Sequence, residues 1–428
     1  MPRHHITQLP SGLRIASEKL PGIRSVAVGF WIGTGSRDEV PRKAGVSHFI
    51  EHLLFKGTAR YDALAIAEIF DALGGELNAA TSREHTVVYA RVPDTDLATA
   101  VEVMGEMVLA PRMADLETER EVVLEEIAMI DDAPQDLVHD IFGEAVFGGH
   151  PLGAPIIGTA EVISSISRKS IQSHHRAHYA PGNVVLSVAG NVNHDELVEL
   201  ARRVLPEPAT GPMAAVRRVP FERMPPPELR FLAKDTEQYH VVLGAPGISR
   251  TDERRYAMSL FDTILGGSSS SRLFQEIREK RGMAYSVFSF TSQHDETGQL
   301  GVYVGTREEN VGACLDIVAL QLGELAAGRI TPEELQRAKD NVKGRILLAM
   351  ESTSSRMSRL GKALVTGVEL QTADQVIKKL QRVQADELAA IAAELLAPAR
   401  LSAVGIGPSE DVFLDGVARV NPGLAKAA

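Results

Sequence analysis

The chain repeats itself, and the repeat limits the folds open to it. Ala180-Pro181-Gly182-Asn183-Val184-Val185-Leu186-Ser187-Val188-Ala189-Gly190 returns as Ala397-Pro398-Ala399-Arg400-Leu401-Ser402-Ala403-Val404-Gly405. The segments before each copy recur in order. A strand pattern at Val26 to Phe30 is matched by Val241 to Gly244, and a helical pattern at Asp115 to Ile130 by Thr331 to Met350. Shared order and spacing indicate a tandem duplication. Each half alternates period-2 runs (Leu13 to Ser17, Ser25 to Ile32, Thr86 to Val92) with helical patterns (Ala63 to Leu73, Asp96 to Leu109, Ile163 to His178). The fold class predicted is α+β, with two homologous sheet-plus-helices domains. Residues 1–205 form the first and 228–428 the second. Residues 206–227, rich in proline and without periodicity, read as the linker between them.

Composition excludes several function classes. A formal net charge of −11 argues against nucleic acid and anionic membrane as partners. Cys314 is the single cysteine, which rules out an intrachain disulfide and a thiolate metal site. No run approaches the roughly 18 apolar residues a membrane span requires. Residues 1–22 lack the apolar core of a secretory signal. The expected location is cytoplasmic, and a mature mitochondrial matrix protein would read the same way.

The chemistry sits in His48-Phe49-Ile50-Glu51-His52. Val46, Phe49, Ile50, Leu53 and Leu54 recur at helical spacing, and Gly57 stops the run. On a helix, His48 and His52 lie one turn apart on one face, so two imidazoles can share an ion. Glu51 beside them can accept a proton from water. The competing reading is a hydrogen-bonded pair of core histidines. The two are separated by whether a third protein ligand exists, since a catalytic zinc keeps three protein ligands and an open position. Carboxylates are densest in Asp115 to Asp132. Val122, Val123, Ile127 and Ile130 mark its apolar stripe, and Glu119 and Glu126, two turns apart, share the face beside it. The second half has no histidine between Tyr256 and Gly267, so its helix cannot hold a metal through imidazole and only the first half can be catalytic.

His48-Phe49-Ile50-Glu51-His52, then 73 residues, then Glu126 resembles the inverted zinc motif of the M16 (pitrilysin) peptidases. The likeness is greatest to half-length members typified by the mitochondrial processing peptidase β subunit and its bacterial relatives. It extends through His52 to Thr58, Leu77 to Arg83, Pro151-Leu152-Gly153 and Tyr179 to Asn183. The resemblance implies a zinc metalloendopeptidase with His48, His52 and Glu126 as Zn²⁺ ligands and Glu51 as the catalytic base. Glu125 faces another side of the helix. Glu119 would orient a ligand from behind. Arg278 and Tyr285, in Ile277 to Tyr285, match an Arg and Tyr that bind substrate; without the family they read as an exposed arginine and a core tyrosine.

The stretch Leu77-Asn78-Ala79-Ala80 is expected to be an edge strand, with Asn78 and Ala79 contributing backbone groups to an added peptide strand. Substrates would then be peptides or unfolded protein segments. This chain supplies both the zinc motif and the Arg/Tyr pair, and the resemblance implies a chamber between two half-shells. A homodimer with composite sites is the expected assembly, and a heterodimer with an inactive homologue is the alternative. The rival functional reading is a non-autonomous subunit or scaffold that needs such a partner. Gly266 to Ser271 reads either as a loop at the entrance or as a helix-ending connector.

Overall fold

The computed structural model describes residues 4–205 and 218–427. Among these, the chain divides into two compact units. The first contains a six-stranded sheet in the order β1-β2-β6-β3-β5-β4. Its strands are β1 (His4–Gln8), β2 (Arg14–Lys19), β3 (Ser25–Ile32), β4 (Glu76–Thr81), β5 (Thr86–Pro93) and β6 (Val184–Gly190). The second contains a five-stranded sheet in the order β7-β11-β8-β10-β9. It is built from β7 (Leu229–Ala233), β8 (Tyr239–Gly247), β9 (Ala284–Gln293), β10 (Gly298–Thr306) and β11 (Ser402–Gly407).

The duplication is visible in the topology. Leaving out β1, the strands β2-β6-β3-β5-β4 superpose in order on β7-β11-β8-β10-β9. Direction agrees as well: β2 and β6 are parallel, as are β7 and β11, and the remaining pairs are antiparallel. The central strands β3 and β6 are almost continuously apolar and buried, as strands covered on both faces must be.

The units are not the contiguous halves that the sequence suggested. Residues 129–153 belong to the second unit and 348–370 to the first, so each half lends the other one helix. Helix Pro134–Phe147 lays Val138, Phe142, Ala145 and Val146 against Val242, Tyr303, Val404 and Ile406 of the second sheet. Helix Thr353–Thr366 places Met357, Leu364 and Val365 over Ala27, Trp31, Val87, Val185 and Ala189 of the first. Gly361 lets that helix approach closely, because a Cβ there would fall 2.0 Å from the Trp31 indole nitrogen. The buried Glu18 carboxylate of β2 ties the helix down, accepting from Arg356 Nη1 at 2.5 Å and Arg359 Nη2 at 3.0 Å. Boundaries at 205 and 228 therefore describe the duplication but not the packing. Of the expected linker, 206–217 lies outside the described residues, and 218–227 carry no helix or strand.

One expected helix is two. Instead of a single helix from Ile163 to His178, the chain forms Ala160–Ser165 and Arg168–His178. Ser167 is extended between them and its side chain accepts from the Ser170 N–H, so it starts a new helix.

The exchange makes a direct prediction. A fragment ending at residue 205 lacks the Met357 helix and exposes the Trp31 face. At roughly 1.5–3 kcal/mol per large apolar side chain left unburied, it loses much of the ~5–15 kcal/mol that holds a domain. Chemical denaturation of the fragment is expected to show no cooperative transition, whereas an intact cooperative transition would show that the helix is dispensable.

Candidate metal centre

The motif helix spans Val46–Leu54 and buries Val46, Phe49, Ile50, Leu53 and Leu54. Its opposite face carries His48, Glu51 and His52, all half-buried. The helix start is held from outside. Its N-cap is Gly45, in the left-handed region at φ 88°, which offers no side-chain acceptor. A Cβ at Gly45 would also fall 2.3 Å from the Ile157 carbonyl oxygen. The buried carboxylate of Glu39 takes over, accepting the Gly45 N–H at 2.6 Å and the Ser47 N–H at 2.7 Å. Burial pushes the Glu39 carboxyl up to about 8, against the pull of these two donors.

The acidic helix spans Leu116–Asp132 and brings its carboxylates to this face. Glu126 Oε2 lies 3.7 Å from His48 Nε2 and 3.4 Å from His52 Nε2. One ligand atom from each of the three residues lies within 4.8 Å of the other two, the only such group found among the described residues. Four ligands at ~2.1 Å around zinc stand about 3.4 Å apart, so the spacing suits a tetrahedral dication with these three donors. The two rings meet edge to face with centroids 4.8 Å apart. Glu119, at the helix's first turn and nearly buried, bridges His52 Nδ1 at 3.3 Å and Lys56 Nζ at 2.7 Å. It thereby fixes the ring that directs Nε2 at Glu126. Among the described residues, His48 Nδ1 is buried with no hydrogen-bond partner.

Glu51 occupies the same helix face. Burial raises its pKa, and Glu126 nearby adds to the rise; hydrogen bonding from Thr81 and the charge of His52 oppose it. Thr81 Oγ1 donates to Glu51 Oε2 at 2.5 Å. Thr81 closes β4, the outermost strand of its sheet, which also carries Asn78 and Ala79. Asn78 Oδ1 accepts the Ala79 N–H at 2.8 Å. The sequence patterns pointed to His48, Glu51, His52, Glu119 and Glu126, which the structure brings together. Glu39, Lys56 and Thr81 escaped them, because each acts from outside the motif.

The second unit carries Arg278 and Tyr285. Arg278 lies on a π-helical turn, Phe274–Glu279, and its guanidinium packs over both the Phe274 ring (4.8 Å) and the Tyr285 ring (4.6 Å). Tyr285 is 78% exposed, unusual for a large aromatic side chain and contrary to a core tyrosine. The helix that duplicates the motif helix, Arg255–Leu265, has no histidine. Its half-buried Asp262, pushed up to about 6 by desolvation, accepts from Ser289 Oγ at 2.6 Å.

Burial shifts several histidines of the first unit. It lowers His48, His85 and His175 to about 4 and His174 to about 3. In the unfolded chain each titrates near ~6.5. Between these values each of these imidazoles binds fewer protons in the folded metal-free protein than in the unfolded chain, so its contribution to stability rises with pH across the window. The stabilisation is present above about 6.5 and is lost as pH falls towards about 4. Urea midpoints of the metal-free protein at pH 7, 6 and 5 are expected to fall in that order; a constant midpoint would mean the imidazoles are charged when folded.

Residues 14–160 match the family described as Insulinase (Peptidase family M16), and residues 165–342 match Peptidase M16 inactive domain. An uncharacterized zinc protease of Streptomyces coelicolor is 42% identical over 415 residues, covering 95% of this chain and 90% of its own. The uncharacterized zinc protease YmxG of Bacillus subtilis is 39% identical over 387 residues, covering 90% and 94%. Among solved structures, a protease from Helicobacter pylori superposes with a TM-score of 0.88 at 24% identity, covering 95% of this chain and 100% of its own. A structure titled peptidase M16 inactive domain, from Pseudomonas fluorescens, gives 0.84 at 23% identity, covering 95% and 98%. Those two likenesses establish the two-domain fold. No described helix is long and apolar enough to cross a membrane. With both family regions matched along most of its length and relatives above 40% identity, the chain belongs to the M16 family of peptidases.

Proposed function

We propose that the protein is a zinc-dependent endopeptidase acting on peptides or unfolded segments bound in extended form. One observation carries the reading: Nε2 of His48 and of His52 face the same oxygen of Glu126 at 3.7 and 3.4 Å, with Glu51 on the same helix face. A zinc ion bound there would supply Lewis acidity, making water nucleophilic near neutral pH and polarising the scissile carbonyl.

The chain's own residues do the rest. The Glu51 carboxylate takes the proton of the attacking water and delivers it to the leaving amine nitrogen. Burial raises its pKa, which strengthens it as a base for the first transfer, the uptake of the proton. Glu119 holds His52 in the tautomer whose Nε2 is free to bind the ion. Alternate residues of β4 turn their backbone groups to the open side of the sheet, where an extended chain adds by main-chain hydrogen bonds. Such binding demands little of substrate sequence and excludes folded segments.

Arg278 and Tyr285 are assigned to hydrogen-bonding the substrate carbonyl as charge develops on its oxygen. The exposure of Tyr285 and the packing of Arg278 over its ring support a binding role. The proposed assembly is a homodimer in which one subunit provides the metal residues and its partner the Arg/Tyr pair.

Cleavage of an unstructured peptide, with zinc content measured on the same sample, tests the reading. Wild type is expected to cleave, and Glu51→Gln to lose about a hundred-fold or more while retaining zinc. Mixing Glu51→Gln with Tyr285→Phe subunits is expected to restore a fraction of activity, and no recovery would place Tyr285 in its own subunit's site. A wild type that holds zinc and cleaves nothing would favour the subunit that needs a homologous partner chain.

A further inference from the structure

The contact between Thr81 and Glu51 joins two parts of the site that the chemistry would otherwise treat separately. In an antiparallel pair, successive residues alternate between facing the partner strand and facing away. Ala79 and Thr81 share one parity. The Ala79 N–H finds its acceptor in the Asn78 side chain, and the Thr81 N–H is directed at the Glu51 carboxylate. Both point away from β5, along the open side of the sheet. The free edge therefore ends at Thr81, and what it meets there is Glu51. A chain lying along this edge runs directly towards the proton acceptor.

Thr81 is itself fixed more firmly than the end of an edge strand needs to be. The turn that follows it is closed by the Ser82 N–H donating to the His85 carbonyl at 2.8 Å. The loop after β3 grips the turn from outside, with Ser36 N–H donating to Ser82 O at 3.2 Å and Arg37 N–H to Arg83 O at 2.8 Å. Inside it, the fully buried Arg37 guanidinium bonds Glu84 at 2.5 Å. Arg218 reaches the Glu84 carbonyl at 3.1 Å and Asp38 at 2.9 Å. Opposite Thr81 in the ladder, Thr86 donates its hydroxyl to the Thr34 carbonyl at 3.0 Å.

We propose that Thr81 is a positioning residue for the general base: its hydroxyl holds the Glu51 carboxylate at the end of the strand on which substrate lies, so that one strand sets both substrate register and the direction of proton transfer. The proposal rests on the peptidase reading and on Glu51 as the base. A carboxylate on a helix has three side-chain torsions, and the hydroxyl bond selects one arrangement of them. The effect belongs to the turnover step, because the backbone of β4 binds peptide whether or not the hydroxyl is present.

The test compares wild type, Thr81→Val, Thr81→Ala and Thr81→Ser as zinc-loaded protein on one unstructured peptide. Zinc content is measured on every sample. Peptide affinity is measured by fluorescence anisotropy in a Glu51→Gln background, with and without Thr81→Val. Thr81→Val and Thr81→Ala are expected to lower kcat about ten- to a hundred-fold, as misplaced catalytic groups do. KM is expected to stay within about two-fold. Thr81→Ser, which keeps the hydroxyl, is expected to recover kcat to within about three-fold of wild type. Zinc content and peptide affinity are expected to be unchanged. An unaltered kcat in Thr81→Val would overturn the proposal. So would a Thr81→Ser as impaired as Thr81→Ala, or a loss of kcat that follows lost zinc or lost peptide affinity. A wild type without activity would overturn the peptidase reading itself, an outcome distinct from all of these.

Discussion

The buried ion pair between Arg37 and Glu84 organises the first unit's active edge. A buried guanidinium and carboxylate gain little net stability, because desolvation cancels much of their attraction. What they provide is a directed contact between the loop that follows β3 and the turn after β4. Arg218 adds to it, donating to Asp38 and to the Glu84 main-chain carbonyl. The loop from Gly33 to Glu39 is thereby tied on both sides. On one side it clamps the turn that carries Thr81, and on the other its last residue, Glu39, caps the helix that carries His48, Glu51 and His52. The helix of His48, Glu51 and His52 and the open strand edge that ends at Thr81 are thus both tied to a single seven-residue connection.

How much of this could be read in the sequence depended on the range of each interaction. The histidine pair and Glu51 lie within one helical turn, so their shared face follows from spacing alone. Glu119 and Glu126 were legible for the same reason, as two turns of one helix. The meeting of the two helices is a tertiary fact, and family resemblance rather than periodicity singled out Glu126. Thr81, Glu39 and Lys56 were not legible, since a threonine closing a strand, a glutamate in a loop and a lysine after a helix have many ordinary roles. Their partners lie 30, 6 to 8 and 63 residues away.

The two exchanged helices teach the same lesson at a larger scale. Pro134 at a helix start, Ser352 capping the Ser355 N–H and Gly367 in the left-handed region are local signals for Pro134–Phe147 and Thr353–Thr366. They mark where a helix begins or ends and say nothing of which sheet it covers. Duplication made the contiguous halves the natural reading, whereas the apolar faces of β3 with β6, and of β8 with β11, each recruited a helix from the other half. The duplicated frames then diverged in chemistry. The first placed two imidazoles over a carboxylate. The second placed a half-buried Asp262 at the comparable helix and an arginine on a widened π turn beside an exposed tyrosine.

The central claim is that two helices far apart in sequence form one metal centre through His48, His52 and Glu126. Titration of zinc into metal-free protein, followed by calorimetry, addresses it most directly when wild type is compared with Glu126→Gln and Glu125→Gln. Wild type is expected to bind one zinc per chain, Glu126→Gln to bind at least about a hundred-fold more weakly, and Glu125→Gln to match wild type. Equal affinity in wild type and Glu126→Gln, or a loss confined to Glu125→Gln, would contradict it.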